Sequence, residues 1–250
     1  MKLQGKVLVV TGAGSGIGRA TSLKLASEGA IIVSSDYNEE TARETAAMIQ
    51  QAGGQASYIR ADVSKAEDIQ NLIDQTVVNH GTIDGIFNNA GVGDVRSFED
   101  HTPEYFNHVI SVDQFGVYLG IYYASKKMKE LGVEGTIVNT ASIFGYMAAK
   151  GSFAYQAAKA AVVMMTKSAA LELAEDGIRV VAVAPGFIDT PIIKDGDDFK
   201  TFLAEQHLSK KLIQPEQIAD VVTFLFSPEA SAINGQTVPV DDGFLIFKRS

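Results

Sequence analysis

The sequence predicts an α/β fold: a doubly wound parallel sheet between two helix layers, a three-layer α/β/α arrangement forming a single domain over residues 1–250. Three observations carry that expectation. Short apolar runs alternate with longer amphipathic stretches, as parallel βαβ units require. The runs are continuously apolar, as strands are when helices cover both faces of a sheet. A glycine-rich turn follows the first run directly and leads into a helical pattern.

Taken in order, strands are expected at residues 6–10, 30–35, 56–60, 83–88, 136–140, 179–184 and 237–240, with helices between them. No linker rich in Pro, Gly or Ser, no internal repeat and no low-complexity tract divides the chain, so one domain is expected. The least regular stretch is 187–209, with Pro191 and the acidic Asp195-Gly196-Asp197-Asp198; it reads as a mobile lid without a fixed helix or strand.

Composition narrows the function. With 46% hydrophobic and 20% charged residues the chain can bury a core. The net charge of -9 is spread along the sequence and the basic end Lys248-Arg249 is short, which argues against nucleic acid as a partner. There is no cysteine, and His80, His101, His108 and His207 lack the His-Glu-x-x-His spacing of a zinc helix, so no metal is expected. Residues 1–6 enter the first strand without the features of a signal peptide, and no apolar run approaches the roughly 18 residues of a membrane span. A cytoplasmic protein with no membrane partner is expected.

The first strand runs into Thr11-Gly12-Ala13-Gly14-Ser15-Gly16-Ile17-Gly18, and a helical pattern begins near Ile17. Glycines let the backbone approach a pyrophosphate, and a helix N-terminus offers unpaired N–H groups and partial positive charge. The strict Gly-x-Gly-x-x-Gly pattern is absent, because Ile17 is the sixth residue from Gly12. The second strand ends at Asp36, about where an acid accepts the adenosine ribose hydroxyls. As part of Asp36-Tyr37-Asn38-Glu39 it also reads as a helix cap; with the glycine turn it favours NAD in a Rossmann-type sheet. Further on, Tyr155 and Lys159 stand four apart on one face of a helical pattern, and the strand 136–140 delivers Ser142 to the sheet edge where open α/β folds place their sites.

With these residues in place the chain resembles the short-chain dehydrogenase/reductase family, in its single-domain branch, from Lys6 to Gly243. The matching elements are the Thr-Gly-x-x-x-Gly-x-Gly turn at 11–18, Asp62-Val63, Asn88-Asn89-Ala90-Gly91, Ser142, Tyr155 with Lys159, and Pro185-Gly186 with Thr190. The resemblance implies that Gly12, Ser15, Gly16, Ile17, Gly18 and Asp36 hold NAD with Asp62 and Val63 beside the adenine. It further implies that Asn89, Ala90 and Gly91 line the cofactor, and that Pro185, Gly186, Ile188 and Thr190 hold its nicotinamide side. One position departs: where the family usually has Asn in its long fourth helix, as part of a proton relay, this chain has Asp113. An ionised Asp cannot donate a hydrogen bond, so Asp113 is not counted among the catalytic residues.

The implied chemistry moves a hydride between nicotinamide and a secondary alcohol or its ketone. Tyr155 is the acid/base, Lys159 lowers its pKa and holds the nicotinamide ribose, and Ser142 orients the substrate oxygen. A cation about 5 Å away is worth roughly 3 kcal/mol at an effective dielectric of about 20, or about two pKa units. The substrate pocket is expected from Ser142, Tyr155, Phe144 and Phe187, with Ile143, Met147, Phe153, Ile188 and Ile192 as further wall residues. Two other functions compete. A 3-oxoacyl-thioester reductase of fatty-acid synthesis would prefer NADP and a basic patch for its acidic carrier, against which Asp36 and the acidic charge weigh. A non-catalytic NAD-sensing protein would not need Ser142, Tyr155 and Lys159 together. The apolar tail Phe244-Leu245-Ile246-Phe247, together with the assemblies usual in the family, implies a homotetramer.

Overall fold

In the computed structural model, which describes residues 1–190 and 196–246, the strand order is β3-β2-β1-β4-β5-β6-β7 in one parallel sheet. The strands are β1 (Val7–Thr11), β2 (Ile31–Asp36), β3 (Gln55–Arg60), β4 (Gly85–Asn88), β5 (Thr136–Thr140), β6 (Arg179–Pro185) and β7 (Thr237–Val240). The chain winds outward from β1 to β3 and then crosses back to start β4 on the other side of β1. That reversal opens a crevice at the C-terminal ends of β1 and β4, the place where this topology takes its ligands. Every residue of β1, β4 and β5 is buried, which accounts for the apolar runs at their centres.

Strand β4 begins two residues later than the sequence suggests. Asp84 takes the preceding position, accepting hydrogen bonds from Val7 N (2.9 Å) and Lys6 Nζ (2.8 Å), so its carboxylate closes the start of the sheet instead of extending it.

The helices are α1 (Gly16–Ser27), α2 (Glu39–Gln51), α3 (Ala66–His80), α4 (Pro103–Ile110), α5 (Gly116–Leu131), α6 (Phe153–Leu173), α7 (Asp197–Ala204) and α8 (Pro215–Phe226). Helices α1, α2 and α8 cover one face of the sheet with a core that includes Leu25, Ile32, Ile49, Phe87 and Leu225. Helices α3, α5 and α6 cover the other, around Leu72, Ile86, Met128, Ile137 and Val162. Helices α4 and α5 are joined by a π-helical turn, Ser111–Phe115. No helix of the described residues is long and apolar enough to cross a membrane.

The stretch 187–209 differs from its expected irregularity. Ile188 bridges Ile213, and α7 forms from Asp197. Gly196 is the extended N-cap and Asp197 and Asp198 fill the first turn, so the acidic run complements the positive end of a helix. Pro191, Ile192 and Asp195 lie outside the described residues.

Candidate active site

The glycine turn is shaped by close approach. Gly12 and Gly16 have φ of 64° and 49°, where a side chain strains the backbone. A Cβ on Gly12 would stand 2.8 Å from Ala90 Cα, and one on Gly18 would stand 2.0 Å from the Gly12 carbonyl oxygen. The turn therefore packs against both the start of α1 and the segment after β4. Ser15 is the extended N-cap of α1 and its side chain makes no capping bond; neither it nor any acidic first-turn residue competes for the helix end with an anion. Ile17, in the first turn, packs against the adjoining core.

Asp36 lies at the end of β2 and reaches back to this turn. Its Oδ2 accepts from Gly14 N (2.9 Å) and its Oδ1 from Asn38 N (3.0 Å). The N-cap of α2 is Asn38, whose side chain accepts from Glu40 N, so Asp36 is not the helix cap. Beside it stands a residue that sequence reasoning missed: β2–β3 pairing sets Arg60 opposite Asp36. The Arg60 guanidinium lies 5.3 Å from the Tyr37 ring centroid and 3.4 Å from Asp68 Oδ2. The adjacency of β2 and β3 in the sheet was the signal that could have found it.

Around the crevice the other expected cofactor residues are tied to one another. Asp62 Oδ1 accepts from Ser64 N and Oγ, at 3.0 and 2.6 Å, and Val63 packs against Gly116. Thr11 Oγ1 accepts from Asn89 N (3.0 Å) and Ala90 N (3.2 Å), while Asn89 Nδ2 donates to Thr11 O (3.0 Å). Gly91 leaves room for Asp113. At the end of β6, Pro185 is buried, Gly186 N donates to Val240 O, and Asp189 holds Lys200 of α7 at 2.7 Å. Thr190 follows, half-buried. His207, also missed in the sequence, is buried beneath this turn: its Nε2 accepts from Phe187 N (3.1 Å) and its Nδ1 donates to Lys211 O (2.7 Å). A lone histidine amid irregular sequence carries no local signature of such a role.

Ser142, Tyr155 and Lys159 converge at the C-terminal end of β5. Ser142 caps the short 3-10 turn Ile143–Gly145, its Oγ accepting from Phe144 N at 3.1 Å. Tyr155 is in the first turn of α6 and Lys159 one turn further on, with Nζ 5.4 Å from the phenol ring centroid. Lys159 is 2% exposed and donates to the Thr140 carbonyl at 2.9 Å.

Asp113, not counted among the catalytic residues from the sequence, lies beside Lys159. The π-helical turn places it fully buried, with Oδ2 3.1 Å from Lys159 Nζ and Oδ1 accepting from Val92 N at 2.8 Å. Burial pushes the Asp113 carboxyl up, opposed by Lys159 and the Val92 N–H. Burial pulls the Lys159 ammonium down, yet Asp113 and Tyr155 lift it above its ordinary value, so the geometry is that of an ion pair. Burial also pushes the Tyr155 phenol up. Lys159 and the Ser142 hydroxyl pull it down and Asp113 raises it further, for a net rise. Lys159 thus acts with the expected sign and is outweighed. Because part of the Tyr155 side chain is open to the crevice, its desolvation is incomplete, and the neighbouring charges weigh correspondingly more.

On the substrate side, Phe144 meets Tyr155 edge-on with centroids 6.5 Å apart and Phe187 at 6.0 Å. The remaining wall residues divide. Met147 is exposed, whereas the side chains of Ile143 and Ile188 are buried in the core and offer a pocket no surface. Phe153 packs with Phe98, His101 and Phe106 in a separate aromatic group. Ile192 lies outside the described residues. Gly93 sits against the Tyr155 ring edge, adding the loop after β4 to this wall.

A family model described as enoyl-(acyl carrier protein) reductase matches residues 12–245. The chain is 38% identical over 244 residues to cyclohexanol dehydrogenase of Acinetobacter sp. (strain SE19), covering 97% of this chain and 96% of that one. It is 36% identical over 250 residues to levodione reductase of Leifsonia aquatica, covering 95% and 93%. The crystal structure of 3-ketoacyl-(acyl-carrier-protein) reductase from Brucella melitensis, complexed with NADH, superposes with a TM-score of 0.91 at 34% identity, over 98% of this chain and all of that one.

Proposed function

The chain belongs to the short-chain dehydrogenase/reductase family, and from that premise we propose an NAD-dependent enzyme acting on apolar cyclic ketones and their alcohols, a cytoplasmic homotetramer. It is an oxidoreductase of secondary alcohols and ketones and uses a nicotinamide cofactor. The observation that carries the reading of the site is the meeting of Ser142, Tyr155 and buried Lys159 at the sheet edge.

The residues present fit a dinucleotide: a turn with room only for glycine at Gly12 and Gly18, a helix end free of acidic residues, and a carboxylate at Asp36. Gly12, Ser15, Gly16, Ile17 and Gly18 would receive the pyrophosphate and Asp36 the adenosine ribose, with Asp62 and Val63 at the adenine. Asn89, Ala90, Gly91, Pro185, Gly186, the Ile188 backbone and Thr190 would line the nicotinamide half, with Tyr155 and Lys159 on its ribose. When bound, the nicotinamide supplies or takes the hydride.

In reduction, Ser142 Oγ and Tyr155 Oη hydrogen-bond the ketone oxygen, and Tyr155 donates its proton as negative charge grows there. The phenolate left behind is stabilised by the Lys159 ammonium. In oxidation the same groups work in reverse, Tyr155 taking the hydroxyl proton. Phe144 and Phe187 give the substrate an apolar wall, with α7 contributing to a lid over it. Cyclic, largely apolar ketones suit that wall, and cyclohexanol dehydrogenase and levodione reductase are named for ring substrates. The thioester-reductase reading finds a neighbour in the Brucella protein, but the net charge of -9 suits a free ketone better than an acidic carrier protein.

The test is a panel of cyclic ketones and an acetoacetyl thioester, each with NADH. Cyclic ketones should turn over fastest, and Tyr155→Phe should lose at least about a hundredfold in turnover while still binding NADH. Faster reduction of the thioester would transfer the assignment to the fatty-acid reading. A Tyr155→Phe enzyme keeping more than about a tenth of its turnover would remove Tyr155 from the chemistry.

A further inference from the structure

We propose that Asp113 is a positioning residue which, by ion-pairing with Lys159, keeps Tyr155 in its protonated, proton-donating form and so fits the site for ketone reduction. The inference rests on Tyr155 being the acid/base. Its foundation is geometric. The π-helical turn Ser111–Phe115 drives the carboxylate into the interior, where Oδ1 is fixed by the Val92 N–H. Oδ2 is buried with no aligned hydrogen-bond donor and faces the Lys159 ammonium at 3.1 Å. Gly91 makes the space: a Cβ there would stand 2.9 Å from Oδ2.

An unpaired carboxylate in such a place would be costly, so the ammonium answers it. The same ammonium is therefore shared. It is held by the Thr140 carbonyl on one side and by Asp113 on another, and the phenol sees a paired charge in place of a bare cation. A neutral amide of the same shape at this position would leave the ammonium's field on the phenol undiminished. Among the described residues, the charged and titratable groups facing the pair are Tyr155 from α6 and His108 from α4. His108 acts on Asp113 in the same sense as Lys159.

The sign follows directly. A negative charge near Tyr155 raises the pH at which the phenol loses its proton, so the donor form needed for reduction survives to higher pH and the base form needed for oxidation appears later. Removing that charge moves both limbs to lower pH. A nearby opposite charge shifts a titration by about one to three units, and a like charge acts in the opposite direction.

Asp113→Asn tests this in two ways, one of them independent of turnover. In cofactor-free protein carrying 13C at tyrosine Cζ, the Tyr155 resonance, identified by its loss in Tyr155→Phe, should titrate above the ordinary tyrosine value in the wild type. In Asp113→Asn it should titrate at least about one unit lower. The falling limb of kcat/KM for cyclohexanone reduction by NADH should move the same way. An unmoved Tyr155 resonance in a folded Asp113→Asn protein overturns the proposal. Should that variant not fold, a wild-type Tyr155 titrating below about 9 overturns it equally. If instead the resonance moves while Tyr155→Phe remains active, the electrostatic proposal stands and the acid/base assignment fails.

Discussion

Asp36 holds Gly14 with one carboxylate oxygen and Asn38 with the other, which ties the acid to the turn that would receive the cofactor. In the sequence it read equally as a helix cap, and only the capping bond of Asn38 removes that alternative. We expect a preference for NADH over NADPH, because a 2'-phosphate would bring nearly two negative charges beside this carboxylate and remove a hydroxyl it could accept from. Repulsion and the lost hydrogen bond total roughly 3 kcal/mol, on the order of a hundredfold. Arg60 stands near but is engaged with Tyr37 and Asp68, and does not reverse the sign. Equal kcat/KM for the two reduced cofactors on one ketone would sink this expectation. Asp36→Ala combined with Tyr37→Arg should shrink or invert the preference.

At the scale of elements, α6 must be fixed to the sheet if Tyr155 and Lys159 are to keep their places. A buried polar chain does this: Asn88 Nδ2 donates to Asn139 Oδ1 (2.9 Å), Asn139 Nδ2 donates to Thr166 Oγ1 (3.0 Å), and Thr166 Oγ1 donates to Val162 O (2.8 Å). It joins β4, β5 and α6 side to side. Asn139→Ala leaves a buried amide without an acceptor and opens a void, and should cost about 2 kcal/mol, lowering Tm by roughly 4–8 °C. Thermal unfolding with circular dichroism measures it, and a Tm within about a degree of wild type would show the chain to be incidental. None of this was legible in the sequence, because the chain depends on β4, β5 and α6 lying side by side. The helix α7 was missed for a related reason: its acidic first turn resembles a solvated loop until Gly196 is seen to cap it.

For the whole molecule, the described part of the tail is partly packed and partly exposed, and Phe247 lies outside the described residues. Phe244 packs edge-on against Phe187 at 5.2 Å, whereas Ile246 is 79% exposed. Helix α5 and the π-helical turn before it present Phe115, Tyr118 and Tyr122 stacked in a row along the surface, and α6 exposes Met164 and Leu171. An isolated subunit gains nothing by exposing such a stripe. Light scattering should therefore give a tetramer, and Tyr118→Glu with Tyr122→Glu should dissociate it toward smaller species. A fully active wild-type monomer at all concentrations would reject the assembly.

What the sequence by itself determined was whatever is written locally: the strands, from their short apolar runs; the nucleotide turn, from glycines that a tight backbone demands; and the pairing of Tyr155 with Lys159, from one helical turn of spacing. The sheet order supplied the crevice at their ends. What only the tertiary structure decided was which distant side chains share these places. Asp113 lies on a different helix from Lys159, Arg60 meets Tyr37 through strand pairing, and His207 reaches Phe187 from twenty residues on. Such meetings follow from packing of the layers against the sheet, and the π-helical turn that aims Asp113 has no counterpart in the 3.6-residue period from which a helix is read. Charge acts through space, so the electrostatics of Tyr155 could be signed only once its neighbours were placed.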